Sequence, residues 1–424
     1  MRLLSRGDLV TLAFTGLLVG AAAVVGVSVG VQAATPPLYA LWHPHVGPGT
    51  VPALVVGVAV VLGGTRVAAA LSWRRLLAAA YATALAWTLG LALVDGWRDG
   101  VATRLTVDAE YLAALPNAGG IPAMIRTYAS RILDFQPDSW NTQAAGHPPG
   151  ALLVFAVLDR IGLSGGAAAG LVCVAVGCLA AVAVPSALRS LGDEPAARAA
   201  VPFVVLFPGA VWVGVSGDGL FLGVTAVAVA LLAAGVRRSW LAVLAGVLFG
   251  FACFLSYGLV LMVFPALAVA IAARRWTPLA WATLGALPVV GAFALAGFWW
   301  FDGYAAVRVR YYQGIAAQRP YWYWVWADLA ALAVSAGPAG FAAARRAVVV
   351  RAGPAGLLCL GAMAAIVVAD LSGLSKAEVE RIWLPFAIWL PAAAVLLPPR
   401  SRPFWLALQA VVALLVNHLF HTVW

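Results

Sequence analysis

"GHPPGALLVFAVLDRIGL" (residues 146–163) is the stretch on which the topology of the chain turns. Its apolar part, 151–163, is greasy enough to enter a bilayer. It falls short of the roughly 20 residues that a spanning helix needs. Counting it as a crossing reverses the orientation of everything after it. Pro148 and Pro149 ahead of it exclude a helix interior, and they force His147 into an extended conformation. The result is a rigid polar elbow in a chain that is 64% hydrophobic and 10% charged, with a mean hydropathy of +0.97.

Working outward, apolar windows of membrane length recur at 9–33, 50–70, 76–95, 166–188, 198–215, 218–235, 240–254, 257–273, 277–299, 322–340, 354–370, 382–397 and 403–421. They are continuous rather than alternating, which excludes a β-barrel and gives an all-α polytopic membrane protein of about 13 transmembrane helices. A signal peptide is set aside, because the first apolar run is too long for one. Charge decides the elbow. With the N-terminus cytoplasmic and 151–163 not crossing, 16 basic and 3 acidic residues lie inside, and 10 basic and 13 acidic lie outside. That split obeys the positive-inside rule, whereas a crossing at 151–163 places the arginine pairs outside. The segment is therefore expected to be an interfacial or re-entrant helix. The net charge of +10 is explained by this sorting and not by nucleic-acid binding. The arginine-rich, lysine-poor composition fits the plasma membrane of a high-GC bacterium.

Cys173, Cys178, Cys253 and Cys359 all fall within expected spans and read as small core residues. No metal-ligand spacing, phosphate-binding glycine loop or repeat is present, so the sequence leaves divalent metal use undetermined. The polar residues gather on the outside. The loop 96–165, preceded by Asp95, holds Asp108, Glu110 and His147, with "AEYLAALP" and "IPAMIRTYASRIL" expected as helices flat on the membrane. "FPGAVWVGVSGDGLFLGV" puts Asp218 at the mouth of a hairpin, and the segment 298–326 mixes Arg308, Arg310 and Arg319 with aromatics. "ADLSGLSKAEVERIWLPF" brings Lys376, Glu378, Glu380 and Arg381 to the start of a span. Acids and bases around a membrane-level cleft suit one chemistry in particular. A carboxylate takes the proton of a hydroxyl nucleophile, and cations hold a phosphate leaving group.

"HPPG" after a long first outer loop resembles the "HPPL"/"KPPL" element of the GT-C membrane glycosyltransferases. The hairpin around Asp218 resembles that family's "P…S.E/D.LF.L" segment, and "KAEVERIWLPF" resembles its late "E..R..LP" segment. The resemblance covers roughly 90–400 in order and spacing. It departs from the family in having two extra spans (residues 1–75) ahead of the module 76–424, in Gly150 where the elbow has leucine, and in lacking a plain "DE" pair. It implies a polyprenyl-phosphate sugar as donor, a glycan or lipid acceptor, and inversion at the sugar. In its terms Asp95, Asp108 or Glu110 is the catalytic base. Arg381, Lys376, Arg308 and Arg310 bind the donor phosphate, and His147 and Asp218 position substrate.

Each residue also has a plainer reading. Asp95 ends a helix, Asp108 and Glu110 suit a first helical turn, and Asp218 caps the helix after it. Arg381 pairs with Glu378 or Glu380 at the surface, Arg308 and Arg310 are rim charges, and His147 is a structural hydrogen-bonder. The second function class is a lipid or small-solute transporter, marked by mid-span charge and broken helices. The spans read as almost charge-free, which favours an enzyme.

Overall fold

A bilayer offers no water to backbone N–H and C=O groups, so long apolar segments satisfy them within helices. The computed structural model describes residues 4–350 and 353–422, which leaves Arg2 and Arg351 of the charge count outside. α1 (Arg6–Val29) is fixed at its start by a reciprocal cap between Ser5 and Asp8. Strand β1 (Ala40–Trp42), α2 (Thr50–Ala70) and α3 (Trp73–Ala92) follow. The loop 96–165 carries α4 (Tyr111–Ala114), α5 (Ile121–Thr127), α6 (Thr142–Gly146) and α7 (Pro149–Arg160). The bundle continues with α8 (Gly165–Gly177), α9 (Ala180–Ser190), α10 (Glu194–Val205), α11 (Ala210–Val213) and α12 (Gly217–Gly235). Next come α13 (Ser239–Leu255), α14 (Val263–Ala273), α15 (Thr277–Leu295), α16 (Trp300–Gln313), α17 (Tyr321–Ser335) and α18 (Gly337–Val349). It ends with α19 (Pro354–Ser372), α20 (Val379–Ile382), α21 (Leu384–Ala387), α22 (Trp389–Ala392), α23 (Arg402–Leu419) and β2 (Phe420–Thr422).

Eight stretches among the described residues are long and apolar enough to cross a membrane: 6–29, 50–70, 73–95, 165–190, 217–235, 277–295, 354–372 and 402–419. Each overlaps an expected span, and the chain is an all-α polytopic membrane protein. The other expected spans take less regular forms. The segments 239–255 and 257–273 are short apolar helices. The 322–340 segment is the bent pair α17–α18, turned by 112° at a break where Gly337 adopts a positive φ. The 382–397 segment is cut into single turns around Pro385 and Pro391.

The 198–215 segment breaks between α10 and α11 at Pro208, which has no N–H to continue the ladder. The break frees the carbonyls of Phe203 and Leu206. Both are taken up by Gln409 of α23, whose Nε2 donates to them at 2.7 and 2.9 Å. Gln409 is fully buried. Gln409→Leu keeps the side chain's bulk and leaves two buried acceptors unmet, at about 1–3 kcal/mol each. Chemical unfolding in detergent is expected to show a loss of that order, and a variant as stable as the parent would overturn the assignment.

The loop helices differ from the expectation of helices lying flat on lipid. Their apolar residues, Tyr111, Met124, Ile125 and Tyr128, are buried against the protein. Arg131 locks the loop from within, stacked 3.5 Å from the Trp140 ring and donating to the carbonyls of Asp138 and Asn117. α7 has 12 residues, about 18 Å at 1.5 Å per residue, and is too short to cross. Its Gly150 touches the backbone of Phe254 so closely that a Cβ there would collide with the carbonyl, which accounts for glycine at this place in the elbow. β1 pairs antiparallel with β2, a contact that local hydrophobic pattern gave no reason to expect.

Candidate functional site

Three remote segments meet at one end of the bundle. The first is the hairpin before α12. Ser216 caps that helix, its Oγ accepting from Gly219 N, and Asp218 sits in the first turn where the helix dipole favours negative charge. The second is the turn leading into α20. Ala377 and Glu378 both have positive φ, a strained conformation for residues with a Cβ, at about 1–3 kcal/mol each. The strain is held in place from two sides. Ala377 N donates to Asp328 Oδ1 at 3.1 Å, and Lys376 N donates to the Tyr311 hydroxyl at 2.8 Å.

This turn presents Arg381 to two carboxylates. Its guanidinium donates to Asp218 Oδ2 at 2.7 Å and to Glu378 Oε2 at 2.6 Å. Glu378 Oε1 accepts from Arg319 at 2.8 Å. All four side chains are largely buried. Burial pushes the Glu378 carboxyl up, but Arg381 and Arg319 outweigh it and hold the group below its ordinary range. Arg381 is correspondingly held as a cation.

The third segment is the loop. Glu110 precedes α4, and its backbone is fixed by Asn141 Nδ2, which donates to the carbonyls of Asp108 and Glu110. Its side chain is 5% exposed and accepts from Gln143. Among the described residues Oε2 has no hydrogen-bond partner. Burial pushes the carboxyl up to about 7, with Arg381 pulling it down and Asp218 pushing it further up. Beside it, His147 lies between the rings of Tyr111 and Phe221. Its Nδ1 donates to the Gln143 carbonyl at 2.8 Å, because a carbonyl only accepts, so Nε2 of the neutral ring is an acceptor. Burial lowers its pKa and keeps the ring neutral. His147 is extended and Pro149 opens α7, as the two prolines require.

The other sequence candidates lie elsewhere. Asp95 is held by Arg104 at 2.7 Å, His45 Nε2 at 2.9 Å and His421 Nδ1 at 3.4 Å, in a cluster beside the β1–β2 pair. Asp108 and Arg308 are exposed, and Arg310 pairs with Asp134. Lys376 is buried, with its ammonium donating to the carbonyls of Ala316 and Arg319. The expectation put Arg381 at the donor phosphate with either Lys376 or the Arg308–Arg310 pair; the structure gives Arg381, Lys376 and Arg310 protein partners of their own. Arg381 pairs with Glu378, as the plainer reading had it, but inside the protein and not at the surface. Glu380 turns away and accepts from Tyr39 N at 2.9 Å.

Sequence reading missed Gln143, which accepts from His147 through its carbonyl and donates to Glu110 through its side chain. Its signal was its place four residues before the histidine, on the single turn that leads into the elbow. Among the described residues no three His, Cys, Asp or Glu side chains are grouped to hold a metal ion. No protein-family model matches this chain, and no curated protein matches it significantly.

Proposed function

We propose that the chain is an integral membrane glycosyltransferase of GT-C type. It moves a sugar from a polyprenyl-phosphate donor to a cell-envelope acceptor hydroxyl on the outer face of a bacterial plasma membrane. In this reading the chain crosses thirteen times, broken helices included, and loop 96–165 is extracytoplasmic. The observation that carries it is the meeting of Glu110 with the Asp218–Arg381–Glu378–Arg319 network. Three carboxyls face two guanidiniums there, so the group is neutral when Glu110 is protonated. An ionised Glu110 leaves one net negative charge in a buried place, and taking up a proton relieves it. That makes Glu110 the base among the candidates, since Asp95 is held by three cationic or imidazole partners and Asp108 faces solvent. The acceptor O–H proton passes to Glu110, the acceptor oxygen bonds to the anomeric carbon, and the bond from that carbon to the phosphate oxygen breaks. The polyprenyl phosphate leaves with its electrons, and the sugar is inverted.

One observation favours a second reading as a transporter. α17 carries the buried Asp328 and is broken from α18 by 112°, the geometry of a helix that lines a transport path. Purified chain in proteoliposomes, given radiolabelled polyprenyl-phosphate sugars and mixed envelope acceptors, separates the two. Transfer whose rate rises with pH and levels above about 7 is expected, because the base must be ionised. Lipid or solute flux without transfer would favour the second reading.

A further inference from the structure

α16 joins the apolar helices α15 and α17 at the end of the bundle that holds Glu110 and Arg381. It has 14 residues, too few to cross a membrane. One stripe along it faces away from the protein: Phe301 is 61% exposed, Val309 54% and Tyr312 52%, with Ala305 between them. A helix face in water carries polar residues, and this one does not. Trp299 and Trp322, both exposed, flank it in the manner of residues at a headgroup boundary. Asp302 lies on one edge of the stripe, in the first turn, and Arg308 on the other. Among the described residues Arg308 has no carboxylate partner, whereas its neighbour Arg310 on the inner face pairs with Asp134.

We infer that α16 is a membrane-surface arm. Phe301, Ala305, Val309 and Tyr312 seat among acyl chains, and Arg308 meets the phosphate of an anionic phospholipid. A cation at the rim of an apolar stripe is complementary to a bilayer whose headgroups are negative and whose interior is apolar. The inner face explains why the arm matters to the site. Gln313 accepts from Asp134 N at 2.8 Å and Arg310 pairs with the Asp134 carboxylate, while the Tyr311 hydroxyl accepts from Lys376 N. Seating the arm in lipid thus fixes both the loop 96–165 and the turn leading to Arg381 at one height above the bilayer.

The test uses the full chain in nanodiscs of phosphatidylcholine and phosphatidylglycerol. Spin labels are placed singly through Ala305→Cys, Val309→Cys and Tyr312→Cys, with the unlabelled-site parent giving the background from its four cysteines. Labels at all three positions are expected to be reached by oxygen, which concentrates in lipid, and shielded from a water-soluble nickel chelate. Access by nickel overturns the inference in favour of an aqueous face. Exclusion of both reagents overturns it in favour of a covering protein. Arg308→Gln is expected to weaken phosphatidylglycerol binding, read by native mass spectrometry, about fivefold, with Arg308→Lys restoring most of it. Unchanged binding in Arg308→Gln would overturn the headgroup assignment even if the stripe proves to lie in lipid.

Discussion

Glu110→Gln is expected to lower sugar transfer by roughly 10²–10⁴ with donor binding kept. The amide preserves the shape and the contact to Gln143, but it cannot accept the acceptor's proton. The same variant changes stability in a defined pH window. The folded-state pKa of Glu110, about 7, lies above the ordinary 4.5, so the folded protein binds more protons than the unfolded chain between those values. Stability therefore falls as pH rises from about 4.5 to about 7. Glu380, also pushed up to about 7 by burial, contributes in the same window. Thermal melts of Glu110→Gln across that range are expected to lose the Glu110 share of the slope and keep the rest. A variant that transfers sugar at the parent rate would remove Glu110 from the chemistry.

Arg381→Ala is expected to cost about 3–5 kcal/mol of stability, because it leaves Asp218 and Glu378 buried without their shared cation. A repaired chain, Arg381→Met with Asp218→Asn, removes that buried pair together, leaves Glu378 with Arg319, and is expected to recover most of the loss while remaining inactive. Both are read as unfolding midpoints in detergent. If Arg381→Ala melts with the parent, the network carries no stability.

The membrane class and most helix positions were legible because bilayer thickness sets a length that a hydropathy window can find. The elbow was legible because proline leaves so few conformations. The breaks were not, since Pro208, Pro385 and Pro391 sit in runs as apolar as any span. The carbonyls freed at Pro208 are met by the remote Gln409. Asp218, Glu110 and Arg381 were each visible as polar residues at an expected membrane boundary. What brought them together was not, because their contact spans 271 positions of chain and depends on two residues in left-handed backbone conformation. Asp95 was visible for its place after α3, but the histidines that hold it lie 50 and 326 positions away and only the fold reveals them.

α1 finds its neighbours very late in the chain. The Tyr323 hydroxyl donates to the carbonyl of Ala22 at 2.8 Å, and Arg345 and Arg346 both reach Asp8 at 3.0 Å. During synthesis α1 enters the bilayer some three hundred residues before either contact exists. Until then it drifts as a lone anchor whose acidic residue lacks its cations. Docking of α1 therefore waits for α17 and α18 to be made, so a chain shortened before them keeps α1 without these contacts.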